Sequence, residues 1–139
     1  MREILFRGKR LDTGEWVEGN LWLYGKKARI AVDLGFTQGL SWIEVDPATV
    51  GQFTGYFYKE GKRVFEGDVI KYYDLIANEE LTSFVEWWED GFVLQEIRGF
   101  NAPSMCLVFE ESRVEIIGNI HDNPELLKGG DADGKERAE

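Results

Sequence analysis

The sequence is poor in the residues that staple or catalyse. It holds one cysteine, Cys106, so a disulfide within the chain and a multi-cysteine zinc site are both excluded. It holds one histidine, His121, which excludes multi-histidine metal sites and leaves a single imidazole for any Ser–His or Cys–His pair. No apolar run approaches the ~20 residues of a membrane-spanning helix. The start, Met1-Arg2-Glu3-Ile4, lacks a long apolar stretch, so no secretory leader is expected. Neither GxGxxG nor GxxxxGK[ST] occurs, so no phosphate-cradling glycine loop is read. These absences point to an intracellular, soluble, globular protein with no cofactor, no metal and no membrane partner.

What is present is a chain of 139 residues, 43% hydrophobic and 14% aromatic. A chain of this size buries roughly two-thirds of its unfolded surface, enough for a core without staples. The net charge of −10 is uneven. Residues 1–70 hold 10 basic and 10 acidic side chains, whereas residues 71–139 hold 6 and 16. Direct binding to DNA or RNA is disfavoured, because it leans on a basic surface that neutralises phosphates. The one positive cluster, Lys26, Lys27 and Arg29, reads as a solvated hairpin tip. An acidic face could dock on a basic protein, although solubility alone accounts for it.

Sixteen glycines cut the chain into short pieces at intervals typical of all-β domains. Strands are expected at Arg2–Arg7, Trp16–Tyr24, Ala28–Leu34, Trp42–Val45, Val50–Phe53, Val69–Tyr73, Met105–Phe109 and Arg113–Ile120. Thr82–Trp88 and Phe92–Ile97 read as a hairpin, because Asp90-Gly91 supplies the positive φ values of a tight turn. Asp46-Pro47 and Asn123-Pro124 are cap signals, which predict a helical turn at Pro47–Val50 and a short helix at Pro124–Leu127. Gly51, Gly55, Gly67 and Gly118 read as bends. The final polar decapeptide is expected to be disordered.

Candidate chemistry is sparse. His121 and Asp122 are adjacent, so on a strand they would point to opposite faces and form no dyad. Ser104 and Cys106 have no local base. Asp131-Ala132-Asp133-Gly134 resembles the start of a calcium loop but lacks its remaining ligands. The carboxylate pairs Glu66/Asp68 and Glu44/Asp46 could serve acid–base catalysis, but a turn cap or solvated face explains each.

The aromatic surplus is the stronger signal. On Trp16–Tyr24, one face carries Val17, Leu21 and Leu23 and the other Trp16, Trp22 and Tyr24. A strand apolar on both faces should be covered on both. Trp87 and Trp88 point to opposite sides of a second strand. Large aromatics with a polar edge suit an interface. Trp16, Trp22, Tyr24, Trp87 and Trp88 are therefore the candidate interface residues, and an internal core between two subdomains is the competing reading.

Three segments in series carry a resemblance. They are Met1–Gly8 running into Asp12–Gly19, then Val45–Gly55 followed by Glu66–Tyr72, and finally Val114–Leu127. Together they resemble the YopX family of small bacteriophage and prophage proteins. That resemblance implies a β-rich fold with an SH3-like barrel in its C-terminal part, oligomers, the cytoplasm of a bacterial host, and no catalytic residues to carry over. The expected architecture is mainly β. A small N-terminal antiparallel sheet (1–46) packs on an SH3-like β-barrel with a short closing helix (47–128), followed by a disordered tail (129–139). The expected function is a non-enzymatic, homo-oligomeric binding or assembly module of phage origin, with a host or phage protein as a further partner. The alternatives are an acidic inhibitor of a basic host protein and, behind it, a carboxylate-based enzyme.

Overall fold

The computed structural model describes residues 3–74, 78–88, 91–96 and 114–129. Ten strands are described: β1 (Phe6–Lys9), β2 (Trp16–Tyr24), β3 (Lys27–Asp33), β4 (Leu40–Val45), β5 (Gly51–Tyr58), β6 (Lys62–Phe65), β7 (Asp68–Asp74), β8 (Glu79–Trp88), β9 (Gly91–Glu96) and β10 (Val114–Asn119). The expected strand at Met105–Phe109 and the decapeptide tail lie outside the described residues. The chain divides into two compact units, Met1–Gly55 and Tyr56–Glu139, with the change falling inside β5.

In the first unit the sheet order is β4-β3-β2-β1-β5, and the paired strands whose register is resolved run antiparallel. β2 divides its length between two partners. Trp16–Gly19 pairs with β1, whereas Asn20–Tyr24 pairs with β3. Gly19, at the changeover, lies so close to β3 that a Cβ there would stand 1.9 Å from the carbonyl oxygen of Ala31. The end of β4 also returns to β1. Val45 forms an isolated antiparallel bridge with Arg10, and the Asp46 N–H donates to the Lys9 carbonyl at 2.8 Å.

Register fixes which side chains share a face, because successive residues of a strand point to opposite sides. Leu21, Ile30 and Ile43 align across β2, β3 and β4, as do Leu23, Ala28 and Val45. This face builds the unit's core of Ala28, Ile30 and Val45, with Phe6, Val17, Leu21, Val32 and Val50 against it. Gly8 serves the same core, since a Cβ there would lie 2.8 Å from a Val45 methyl. Each fully buried aliphatic side chain contributes about 1.5–3 kcal/mol of burial free energy.

The expected turn after Asp46 forms as a 3-10 turn, Pro47–Thr49. The Asp46 carboxylate accepts the Ala48 N–H at 3.0 Å, and Pro47 needs no amide hydrogen at that position. The Thr49 hydroxyl is buried; it accepts the Lys9 N–H at 2.9 Å and donates to the Asp46 carbonyl at 2.6 Å.

In the second unit β6 lies beside β5, and a four-stranded antiparallel sheet follows in the order β10-β7-β8-β9. Its core is Val64, Ile70, Tyr72, Leu81, Val85, Leu94 and Val114. The β8–β9 hairpin forms as expected, but Gly91 is already the first residue of β9, opposite Trp88 and without the positive φ expected of it, so it is a ladder residue rather than part of the turn. Register slips between Ile116 and Gly118, a bulge that bends β10. The chain then runs through a turn closed by the Asn123 N–H on the Asn119 carbonyl to a single helical turn, Leu126–Gly129. Among the described residues these strands form open ladders, without closure into a barrel. β6 is a strand the periodicity did not predict.

Candidate functional site

The outer face of the first unit's sheet carries the strongest feature. Arg7 and Lys9 of β1, alternate residues Trp16 to Tyr24 of β2, Lys27 to Asp33 of β3, and Leu40, Trp42 and Glu44 of β4 all point to this side. Trp22 stacks on Tyr24, with ring centroids 5.7 Å apart and planes 19° apart. Trp42 meets Trp22 edge-on at 6.0 Å. Three of these side chains remain largely in solvent: Trp22 is 41% exposed, Trp42 52% and Tyr24 70%.

Cations are interleaved with the rings. The Arg29 guanidinium lies over Trp22 at 5.0 Å from the ring centroid. Trp16, half-buried, is covered by the Arg7 guanidinium at 4.6 Å and by the Lys9 ammonium at 5.8 Å. Such pairs contribute about 0.5–1 kcal/mol each at exposed sites and fix the rings in place. The face is thus an ordered aromatic surface, with two of its four cations facing acids (Glu18 opposite Arg7, Glu44 opposite Arg29).

Trp16, Trp22 and Tyr24 therefore do lie together, as alternation along one strand implies. Among the described residues of the first unit, one face of β2 is without the cover expected on both. Only the Val17–Leu21 side meets a core, because no second layer of the described first unit lies over Trp22 and Tyr24. Trp42 was missed as a site residue. Its place is set by the β3–β4 register, Ala31 opposite Trp42, which the long connection between those strands hides from the sequence.

Trp87 belongs to the second unit. It shares the core-facing side of β8 with Leu81 and Val85, lies at that face's end edge-on to Phe92 at 4.9 Å, and is 49% exposed. The Trp88 side chain lies outside the described residues.

The carboxylate pairs do structural work. Asp68 is buried and accepts the Phe65 N–H at 2.8 Å, closing the Glu66-Gly67 turn. Asp46 caps the 3-10 turn. His121 sits in the turn after β10, where its N–H and that of Asp122 both donate to Asn119 Oδ1, at 3.0 and 2.9 Å. Among the described residues no three His, Cys, Asp or Glu side chains gather as a metal site, and no helix is long and apolar enough to cross a membrane. Ser104, Cys106 and the Asp131–Gly134 segment lie outside the described residues.

A family model described as YopX protein matches residues 5–128. No curated protein matches the chain. Among solved structures, the crystal structure of protein EF1440 from Enterococcus faecalis is similar, with a TM-score of 0.57 at 23% identity. The match covers 91% of this chain and 99% of that one. At that identity the likeness shows a shared fold.

Proposed function

The chain belongs to the YopX family, and from that premise we propose that it is a non-enzymatic binding or assembly module of a phage or prophage, working as a homo-oligomer in the bacterial cytoplasm. The observation that carries this reading is the bare aromatic face: Trp22, with Tyr24 and Trp42 both against it, the three 41–70% exposed. Contiguous exposed apolar surface on a small domain marks an interaction site. Aromatics held by ring stacking and cation–π contacts lose little further freedom on docking, which lowers the cost of association. The same reading takes residues 47–128 as an SH3-like barrel, for which the antiparallel ladder β10-β7-β8-β9 of that stretch supplies the strands.

Sedimentation velocity of the full chain tests it. Self-association is expected at tens of micromolar, and W22A/W42A should shift the protein to monomer with an unchanged melting curve. A wild-type chain that stays strictly monomeric at that concentration would overturn the reading.

A further inference from the structure

Resting on that assembly reading, we propose the arrangement of the contact. Two copies pack outer face to outer face about a two-fold axis lying across the strands, so that β3 of one copy runs antiparallel over β3 of the other.

The charge layout selects this orientation. On the outer face Glu18 stands opposite Arg7 and Glu44 opposite Arg29, so these four largely offset one another. Lys9 lies beside Trp16 at the β1 margin. Two charges remain along β3: Lys27 at one end, beside Tyr24, and Asp33 at the other, beside Leu40. Asp33 uses one carboxylate oxygen to accept the Gly35 N–H at 2.9 Å, which leaves the other oxygen for a contact across the interface. Six residues of strand separate Lys27 from Asp33 by roughly 20 Å, too far to pair within one chain. Antiparallel stacking sets each Lys27 over the other copy's Asp33. Parallel stacking sets Lys27 over Lys27 and Asp33 over Asp33, and like charges in an interface are strongly disfavoured.

Side-chain bulk agrees. The axis passes near the level of Ile30, so the row Trp22, Arg29, Glu44 falls on the row Asn20, Ala31, Trp42 of the other copy. Trp22 then covers Asn20, and Arg29 covers the buried methyl of Ala31. In these two pairs a large side chain meets a small one, so the layers interdigitate, while Glu44 falls against Trp42. A two-fold contact needs one self-complementary patch, and this face is one. The exposed fractions of Trp22, Tyr24, Leu40 and Trp42 amount to about 500 Å² of side chain per copy, taking each ring or branch at its usual size. That is more than half of the ~800 Å² that each partner contributes to a standard interface.

Charge reversal reads the arrangement directly. K27D and D33K, each alone, place like charges at both ends of the contact and should weaken self-association at least tenfold at low salt. Mixed in equal amounts, they should form a heterodimer with near wild-type affinity, detected by native mass spectrometry. The second measurement needs no variant. Carbodiimide treatment of mixed ¹⁴N and ¹⁵N wild-type protein should yield an interchain Lys27–Asp33 amide.

If wild type associates and W22A/W42A abolishes association, but the mixture gains nothing and the amide is absent, the antiparallel arrangement is wrong and the assembly face stands. If wild type is monomeric, or associates regardless of W22A/W42A, the assembly reading itself fails.

Discussion

Gly19 and Ala31 approach so closely that a single added carbon on the glycine would stand 1.9 Å from the alanine's carbonyl oxygen. The obstructing atom is backbone of β3, paired on both sides, and cannot swing away. Gly19→Ala should therefore cost ~3 kcal/mol or more, at the upper end for overpacking. Gly8→Ala meets a Val45 side chain instead, at 2.8 Å, and should cost about 1–2 kcal/mol. Chemical denaturation of both variants would check the order as well as the sizes.

Thr49 ties two separated segments through one hydroxyl, between the Lys9 amide and the Asp46 carbonyl. Thr49→Val keeps the shape and takes the acceptor from the part-buried Lys9 N–H. A loss of about 1–3 kcal/mol is expected. Thr49→Ser should recover most of it, and hydrogen exchange at the Lys9 amide should speed up only in the valine variant.

Asp68 is buried and binds the Phe65 amide across the turn that joins β6 to β7. Asp68→Ala leaves that amide without its acceptor and should destabilise the protein by about 2 kcal/mol. Because the turn's Gly67 also donates to the Val85 carbonyl, amide protection in β8 should fall with it. A Glu66→Ala control should have a smaller effect.

The Arg10 guanidinium donates to both carboxylate oxygens of Asp12, at 2.9 and 2.8 Å, and holds that carboxyl below its ordinary range. The hydrogen bond is the main cause, with the nearby positive charge adding to it. A depressed folded value means that the stabilisation is fully present above the unfolded pKa and is lost as pH falls through the folded one. Both groups are exposed, so the effect belongs to the local titration. Following the Asp12 carboxyl carbon by NMR, Arg10→Gln should raise its midpoint toward that of a free aspartate.

Local signals were the legible ones. Trp16–Tyr24 is a strand with the bounds its alternation implies, because Asp12-Thr13-Gly14 and Tyr24-Gly25-Lys26 punctuate it on both sides. The cap at Asp46 was readable for the same reason, since every atom involved lies within three residues. β6 was not: four residues, Lys-Arg-Val-Phe, give no period, and Val64 and Phe65 are both buried although adjacent. At the candidate site, the shared face of Trp16, Trp22 and Tyr24 follows from spacing of two and four. The place of Trp42 depends on which residue of β3 it faces, and a six-residue connection leaves that register open. Whether the face is covered by an internal core or left as an interface was open in the sequence for a related reason. Alternation reports which side chains share a side, while what lies above them depends on contacts distant in sequence.

The bond from Lys9 to Thr49 spans 40 positions of sequence. β1, synthesised before all of its partners, is thus among the last of the described strands to gain its full set of them. Until residues 45–53 emerge from the ribosome, the second edge of β1 lacks its partners in Val45, Thr49 and β5, and the hairpin of β2 and β3 must wait with one flank open. Low-separation pairs form quickly and distant ones slowly, so the nascent N-terminal unit passes through a period of exposed strand edge. A pause in translation placed just before Thr49 would lengthen that period, and one placed after β5 would not.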